Sequence, residues 1–139
     1  MTNTAGYEAT AEQKQEIEDW FANYDALVAA GDLEAMADQA LFPLNEVTDD
    51  PQGFGLVSAT DRERFLLQMR DAGVGAGDLE MRSTRTPIFL SAGLVFVITD
   101  AEFGSEGDTT AMRYGDLLVR TPNGWRFQTM VAGGWSAEL

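Results

Sequence analysis

The chain contains neither cysteine nor histidine. Without cysteine there is no disulfide framework and no thiolate chemistry, which accords with a cytoplasmic location. Without histidine the usual general base and the commonest metal ligand are both missing, so any acid–base work falls to Asp, Glu or Tyr. No apolar run approaches the roughly 20 residues that span a bilayer. The N-terminal stretch MTNTAGYEATAEQKQ lacks a basic region followed by an apolar segment, so nothing in it resembles a secretion signal. Basic residues are scarce: 9 stand against 23 acidic ones, the net charge is −14, and none occurs between Lys14 and Arg62. Such a surface repels phosphate backbones and anionic lipid, which argues against nucleic acid and membrane as partners. The same acidity serves solubility and needs no cationic partner to explain it.

What remains is ordinary globular material: 139 residues, 45% hydrophobic and 23% charged, enough for one domain with its own core. Residues 1–9 read as a loose arm and 10–139 as a single domain. Ile17, Trp20, Phe21, Tyr24, Leu27 and Val28 recur at three- and four-residue steps and line one face of a helix. Gly31 stops it, and Asp32 caps a second helix carrying Leu33, Met36, Ala37 and Ala40. Together these helices are expected to fill Thr10 to Leu41, ended by Phe42-Pro43-Leu44. A strand over Leu44–Thr48, turn chemistry at Asp49-Asp50-Pro51-Gln52-Gly53 and a returning strand over Phe54–Ser58 follow. Thr60-Asp61-Arg62-Glu63 has capping-box spacing and opens a third helix with Phe65, Leu66 and Met69 facing inward; Gly73, Gly75 and Gly77 end it.

From Leu79 the hydrophobic period changes to two: Leu79, Met81, Ser83 and Arg85 alternate with Glu80, Arg82, Thr84 and Thr86. The alternation predicts a long strand over about Ile88–Phe103, wrinkled at Ser91-Ala92-Gly93, then a hairpin loop over Gly104–Asp108. A strand over Thr109–Thr121, a tight turn at Pro122-Asn123-Gly124 and a last strand over Trp125–Trp135 complete the chain. Helices first and an antiparallel meander after them predict an α+β fold, the helices on one face of a bent sheet.

Familiar motifs are mostly ruled out. Gly73-Val74-Gly75-Ala76-Gly77 matches neither a dinucleotide fingerprint nor a P-loop and leaves a helix instead of opening one. There is no Gly-x-Ser-x-Gly elbow. Asp49 and Asp50 beside Glu46 have metal-ligating chemistry, but adjacent turn carboxylates are ordinarily solvated, and no metal is expected. Asp116 interrupts the run Tyr114-Gly115-Asp116-Leu117-Leu118-Val119, where a buried unpaired carboxylate is expensive. It either turns outward, pairs with Arg113, Arg120 or Arg126, or has a role. Tyr24 lies on an apolar stripe, where a tyrosine serves equally as core. Trp20, Phe21, Phe42, Phe65, Met69 and Trp135 suit either a pocket wall or plain core packing.

The helical hairpin, the aspartate-proline turn, the third helix and a closing meander ending Asn123-Gly124-Trp125-Arg126-Phe127 resemble the nuclear-transport-factor-2-like superfamily over about Thr10–Trp135. That group includes ketosteroid isomerases, SnoaL-type polyketide cyclases and scytalone dehydratases. The segment Tyr24 to Met36 is similar to the isomerase stretch bearing the oxyanion-hole tyrosine, at Tyr24. Asp116, eight residues before Gly124, has the spacing of the protonated oxyanion-hole aspartate, and Gln128-Thr129-Met130 also matches. Asp50-Pro51 is similar to the aspartate-proline carrying the general base, displaced by about two residues. Phe42-Pro43-Leu44 is closer to SnoaL-like members, and the last strand has one extra residue before Trp135.

The resemblance implies a cone-shaped, cystatin-like architecture in which a strongly curved mixed or antiparallel sheet wraps the helices around an apolar pocket. It implies a small-molecule enzyme working by cofactor-free acid–base chemistry (isomerisation, cyclisation or dehydration) on an apolar or polycyclic carbonyl compound. Enolate formation needs two fixed donors in a dry site and a third carboxylate as base. Tyr24 and Asp116 would be the donors, Asp50 or its neighbours Asp49 or Glu46 the base, and Trp20, Phe42, Phe65, Met69 and Trp135 the pocket wall. No cofactor is implied. A homodimer through the outer sheet face fits the same picture. The competing expectations are a non-catalytic ligand-binding or dimerising module, and a member whose pocket is filled by its own side chains.

Overall fold

The computed structural model describes residues 6–73, 81–105 and 107–135. The first five residues of the expected arm, the glycine linker beyond Gly73 and the alternation at Leu79 lie outside the described residues. Helix α1 covers Ala11–Ala30. Thr10 accepts a hydrogen bond from the Gln13 amide while the Gln13 side chain accepts from the Thr10 amide, a reciprocal capping box. Its end is set by Gly31, whose φ of 67° is a left-handed conformation that glycine adopts at little cost. Asp32 then caps α2, Leu33–Asp38, by accepting from the Ala35 amide. Tyr7 ties the described end of the arm to α1 through the Gln13 side chain.

The helical region stops at Asp38, three residues short of the expected Leu41, and the chain passes directly into β1, Ala40–Asp49. Pro43 therefore interrupts a strand and not a helix. It falls between Ala40 and Asn45, where the register against the neighbouring strand slips, and a missing amide donor is tolerated there. β2 is Gly55–Thr60 and α3 is Arg62–Asp71. The cap of α3 is Asp61, accepting from the Arg64 amide, one residue later than the expected Thr60. Thr60 is unavailable because it is the fully buried end of β2, donating to Glu46.

The single strand expected over Ile88–Phe103 is in fact two. β3, Met81–Ser91, reverses through Ala92-Gly93 into β4, Leu94–Ser105. Gly93 holds the reversal, its amide donating to Ser91 Oγ and its carbonyl accepting from the Arg120 amide. β5, Asp108–Thr121, and β6, Gly124–Ala132, complete a six-stranded curled sheet in the order β2-β1-β6-β5-β4-β3. It is a mixed sheet and not a pure meander, because β1 runs parallel to β6.

Strand alternation sorts the sheet into two faces. Inward lie Leu44, Val95, Val97, Leu118, Trp125 and Phe127, which meet Ile17 and Phe21 of α1, Met36 of α2 and Phe65 of α3 in one core. Register then orders the polar members of this face. Pro87, Val97, Asp116, Met130 and Glu46 form one row across five strands, and Arg85, Thr99, Tyr114 and Ala132 form the next. The outer face is apolar as well, with Ile88, Leu94 and Val57 exposed, the last at 71%.

Gly115, on that outer face, has no side chain for a specific reason: a Cβ there would overlap the Phe96 ring of β4. Gly115→Ala should therefore cost about 1–3 kcal/mol by overpacking. Denaturant unfolding should show that loss, and it should largely vanish in a Phe96→Ala background; an equal loss in both backgrounds would rule out the ring contact as its source.

Candidate active site

Trp20, Phe21 and Tyr24 fall within about one turn of α1, which lays their rings along the sheet's concave face. Tyr24 stacks on Trp20 with ring centres 5.2 Å apart and planes 6° from parallel, and meets Phe127 of β6 edge-on at 5.4 Å. This wall of rings keeps the phenol largely out of water. Asp116 is reached from the opposite side. Alternation along β5 turns Tyr114, Asp116 and Leu118 inward, and Asp116 is only 7% exposed. Among the described residues its carboxyl takes no side-chain hydrogen bond.

Burial dominates the electrostatics of this pair. It pushes the Asp116 carboxyl up to about 7, with the positive charge of Arg85 pulling in the opposite direction. Burial also raises Tyr24 well above the ordinary phenol value, and the charge of Asp116 adds to the rise. The phenol stays protonated at any physiological pH. The carboxyl is shared between its neutral, donating form and its charged form near neutrality.

Arg85 is the charged residue of this face that the sequence alone did not single out. It stands on β3, inward by alternation, with its side chain 15% exposed. Both of its terminal nitrogens bind the Asp25 carboxylate of α1, one of them at 3.0 Å. Its Nε donates to Thr99 Oγ1 at 3.3 Å, and its guanidinium lies 4.3 Å over the Phe21 ring. Burial lowers its proton affinity, but the bonds to Asp25 and then to Tyr114 reverse that, so it stays charged. Burial raises the Tyr114 hydroxyl, while Arg85 opposes the rise. Of the arginines expected as partners for Asp116, Arg113 binds Asp100 and Arg126 binds the Trp125 carbonyl. A sign was available: Tyr24-Asp25 places a carboxylate beside the tyrosine, and Arg85 falls on the apolar phase of an alternating stretch. Nothing local joins the two residues, which stand 60 apart.

The remaining candidates divide clearly. Asp50 sits in the β1–β2 turn, its carboxylate accepting from the amides of Gln52 and Phe54, both at 2.9 Å. Asp49 accepts from the Gly134 amide at 2.9 Å. The geometry gives both a backbone-holding role. Glu46 alone of the three faces inward; it is 5% exposed, accepting from Thr60 Oγ1 and from Gln68 Nε2 at 3.1 Å. Phe65 is entirely enclosed and packs on Phe42 and Phe127, and Met69 lies against the same cluster. The Trp20 indole donates to the Trp125 carbonyl at 2.9 Å, and Trp135 is anchored through its amide to Thr48 Oγ1 at 2.8 Å. A recess of about 630 Å³ opens elsewhere, on β3–β5, lined by Arg82, Asp100, Glu102, Met112 and Arg113 among others. No predicted site residue lines it, and its walls are charged where an apolar pocket was expected. Among the described residues no cluster could hold a metal ion, and no helix is long and apolar enough to cross a membrane.

No family model matches the chain, and neither does any curated protein. Solved structures do. An NTF2-like protein of unknown function from Pseudomonas putida superposes with a TM-score of 0.71 at 11% identity, covering 95% of each chain. An NTF2-like protein with a cystatin-like fold from Novosphingobium aromaticivorans gives 0.61 at 15% identity, covering 90% of this chain and 83% of its own. A candidate scytalone dehydratase from the same organism gives 0.65 at 16% identity, covering 86% and 81%. The chain has the NTF2-like, cystatin-like fold.

Asp116 ties stability to pH. Its folded-state proton affinity exceeds its ordinary value of 3.8, so the folded protein holds a proton that the unfolded chain releases. Stability should fall as pH rises from about 4, and the loss should be complete above about 7. Asp116→Asn should stabilise the protein at pH 8 by a few kcal/mol, on the order set by a shift of this size, and by close to nothing at pH 4. Denaturant melts at the two pH values test this; an equal effect at both would refute it.

Proposed function

We propose that the protein is a small-molecule enzyme performing cofactor-free acid–base chemistry on an apolar carbonyl compound, by isomerisation, cyclisation or dehydration. The observation that carries the reading is the pairing of Tyr24 with a buried Asp116 on one concave face, close enough for the carboxylate's charge to raise the phenol. Two O–H donors in a dry site stabilise the oxygen of an enolate far better than water-exposed donors can. The candidate scytalone dehydratase of the same fold is in keeping with chemistry of this kind.

The base in this reading is Glu46 and not Asp50. Glu46 and Asp116 flank Met130 in a single row, two strand spacings or about 10 Å apart between Cα atoms. A substrate lying across Met130 would present its carbonyl oxygen to Tyr24 and Asp116 and its carbon acid to Glu46. Asp50 is already bonded to two backbone amides in its turn. The bonds from Thr60 and Gln68 fix the orientation of Glu46.

A non-catalytic binding or dimerising module is the second reading. It is favoured by the enclosed Phe65, by a recess that neither Tyr24 nor Asp116 lines, and by an apolar outer sheet face suited to a second copy.

Exchange of solvent deuterium into the carbon acid of a steroid enone or polyketide analogue separates the two. The enzyme reading expects exchange by the unaltered protein, slowed about 10²–10³-fold by Tyr24→Phe and by Asp116→Ala. Glu46→Gln should cost more than Asp50→Asn. No exchange by the unaltered protein would leave the binding module, and unchanged rates in the Tyr24 and Asp116 variants would reject the catalytic roles given to those two residues.

A further inference from the structure

The concave face holds one inward arginine and one buried aspartate in neighbouring rows of the register, and a second aspartate, Asp25, reaches the arginine from α1. Arg85 occupies the row of Thr99 and Tyr114, and Asp116 stands in the adjacent row, two strands away. The field of Arg85 reaches Asp116. Its hydrogen bonds do not: they go to Asp25, Thr99 and Tyr114. A guanidinium has a flexible stem and a strong preference for two-pronged carboxylate contact. Left free on this face, it would be drawn to the buried carboxyl that lacks a partner.

We propose that Asp25 is a positioning residue whose two-oxygen grip on Arg85 keeps that cation from closing on Asp116, leaving the Asp116 carboxyl unneutralised and able to carry a proton. The grip is anchored on both sides. Asp25 rides on α1 one residue beyond Tyr24, and the guanidinium is clamped between Thr99 Oγ1 and the Phe21 ring. Among the described residues, the titratable groups that couple to Asp116 are Tyr24 from α1, Arg85 from β3 and Tyr114 from β5; Glu46 of β1 stands farther along its row, and β6 contributes the neutral Met130 between them. Arg85 is the cation of this set, so its position sets how far the rise imposed by burial is offset. The proposal takes its bearing on rate from the reading of Asp116 as a donor, but the electrostatic arrangement stands without it.

The test follows the carboxyl carbon of Asp116 by NMR through a pH titration, which needs no substrate. Asp25→Asn should release Arg85 and lower the Asp116 midpoint by about one to three pH units, the effect of an opposite charge brought into contact. Asp25→Glu should restore most of the original midpoint. Arg85→Lys keeps the charge but not the fork, and should give the same downward shift by an independent route if Asp25→Asn fails to fold. Arg85→Met should raise the midpoint, and in that background Asp25→Asn should have little further effect. A midpoint unmoved or raised by Asp25→Asn, or lowered equally with Arg85 absent, would overturn the proposal. A lowered midpoint with deuterium exchange unaffected would instead leave the grip intact and count against Asp116 as a catalytic group.

Discussion

Helix α1 can lie in the trough of the sheet only because aromatic rings fill the space between them. Trp20, Phe21 and Tyr24 on the helix, Phe127 on β6 and Phe65 on α3 meet with centres 4.9 to 6.0 Å apart, Trp20 and Tyr24 as a parallel stack and the other pairs edge to face or tilted. Rings of this size carry large apolar area and interlock. The helix is pinned at both ends of this contact, by the Trp20 indole on the Trp125 carbonyl and by Asp25 on Arg85.

The interior that results is dry, and dryness is what gives its few polar groups their character. A carboxyl in water is indifferent to a phenol or guanidinium several ångströms off. Within the curl the same separations alter proton affinities, because little solvent screens them. Asp116, Tyr24, Tyr114 and Arg85 therefore behave as one electrostatic unit, although they come from three separate elements. Glu46, with its two hydrogen-bond donors, forms a separate polar point on the far side of Met130.

Much of this was legible in the residues. The stripe on α1 and the cap at Gly31 are local signals with a period of 3.6, and they hold to the residue. The break at Asp116 in an apolar strand marked a residue that alternation turns inward. What escaped left no mark in the local pattern. The β3–β4 reversal has no Asn-Gly or Asp-Gly pair, and apolar residues continue through it, so it reads as one strand. The parallel pairing of β1 with β6 joins segments some 80 residues apart and leaves no trace in either. Arg85 looks like one more polar residue of an alternating strand until the sheet curls and brings it under Asp25. Asp50 shows the converse. Its motif was visible, but a turn aspartate bonded to backbone amides carries the same letters as a base.

Gly115 and Asp116 are consecutive, one facing out beneath the Phe96 ring and the other facing in toward the phenol. A strand is stiff along its length, so β5 cannot shift outward at one residue without carrying the next. The fit of an aromatic ring on the solvent side of the sheet thus sets the depth at which an acid group sits inside it. Drift at position 96 or 115, seemingly remote from any chemistry, would be registered within as a change in how tightly a proton is held.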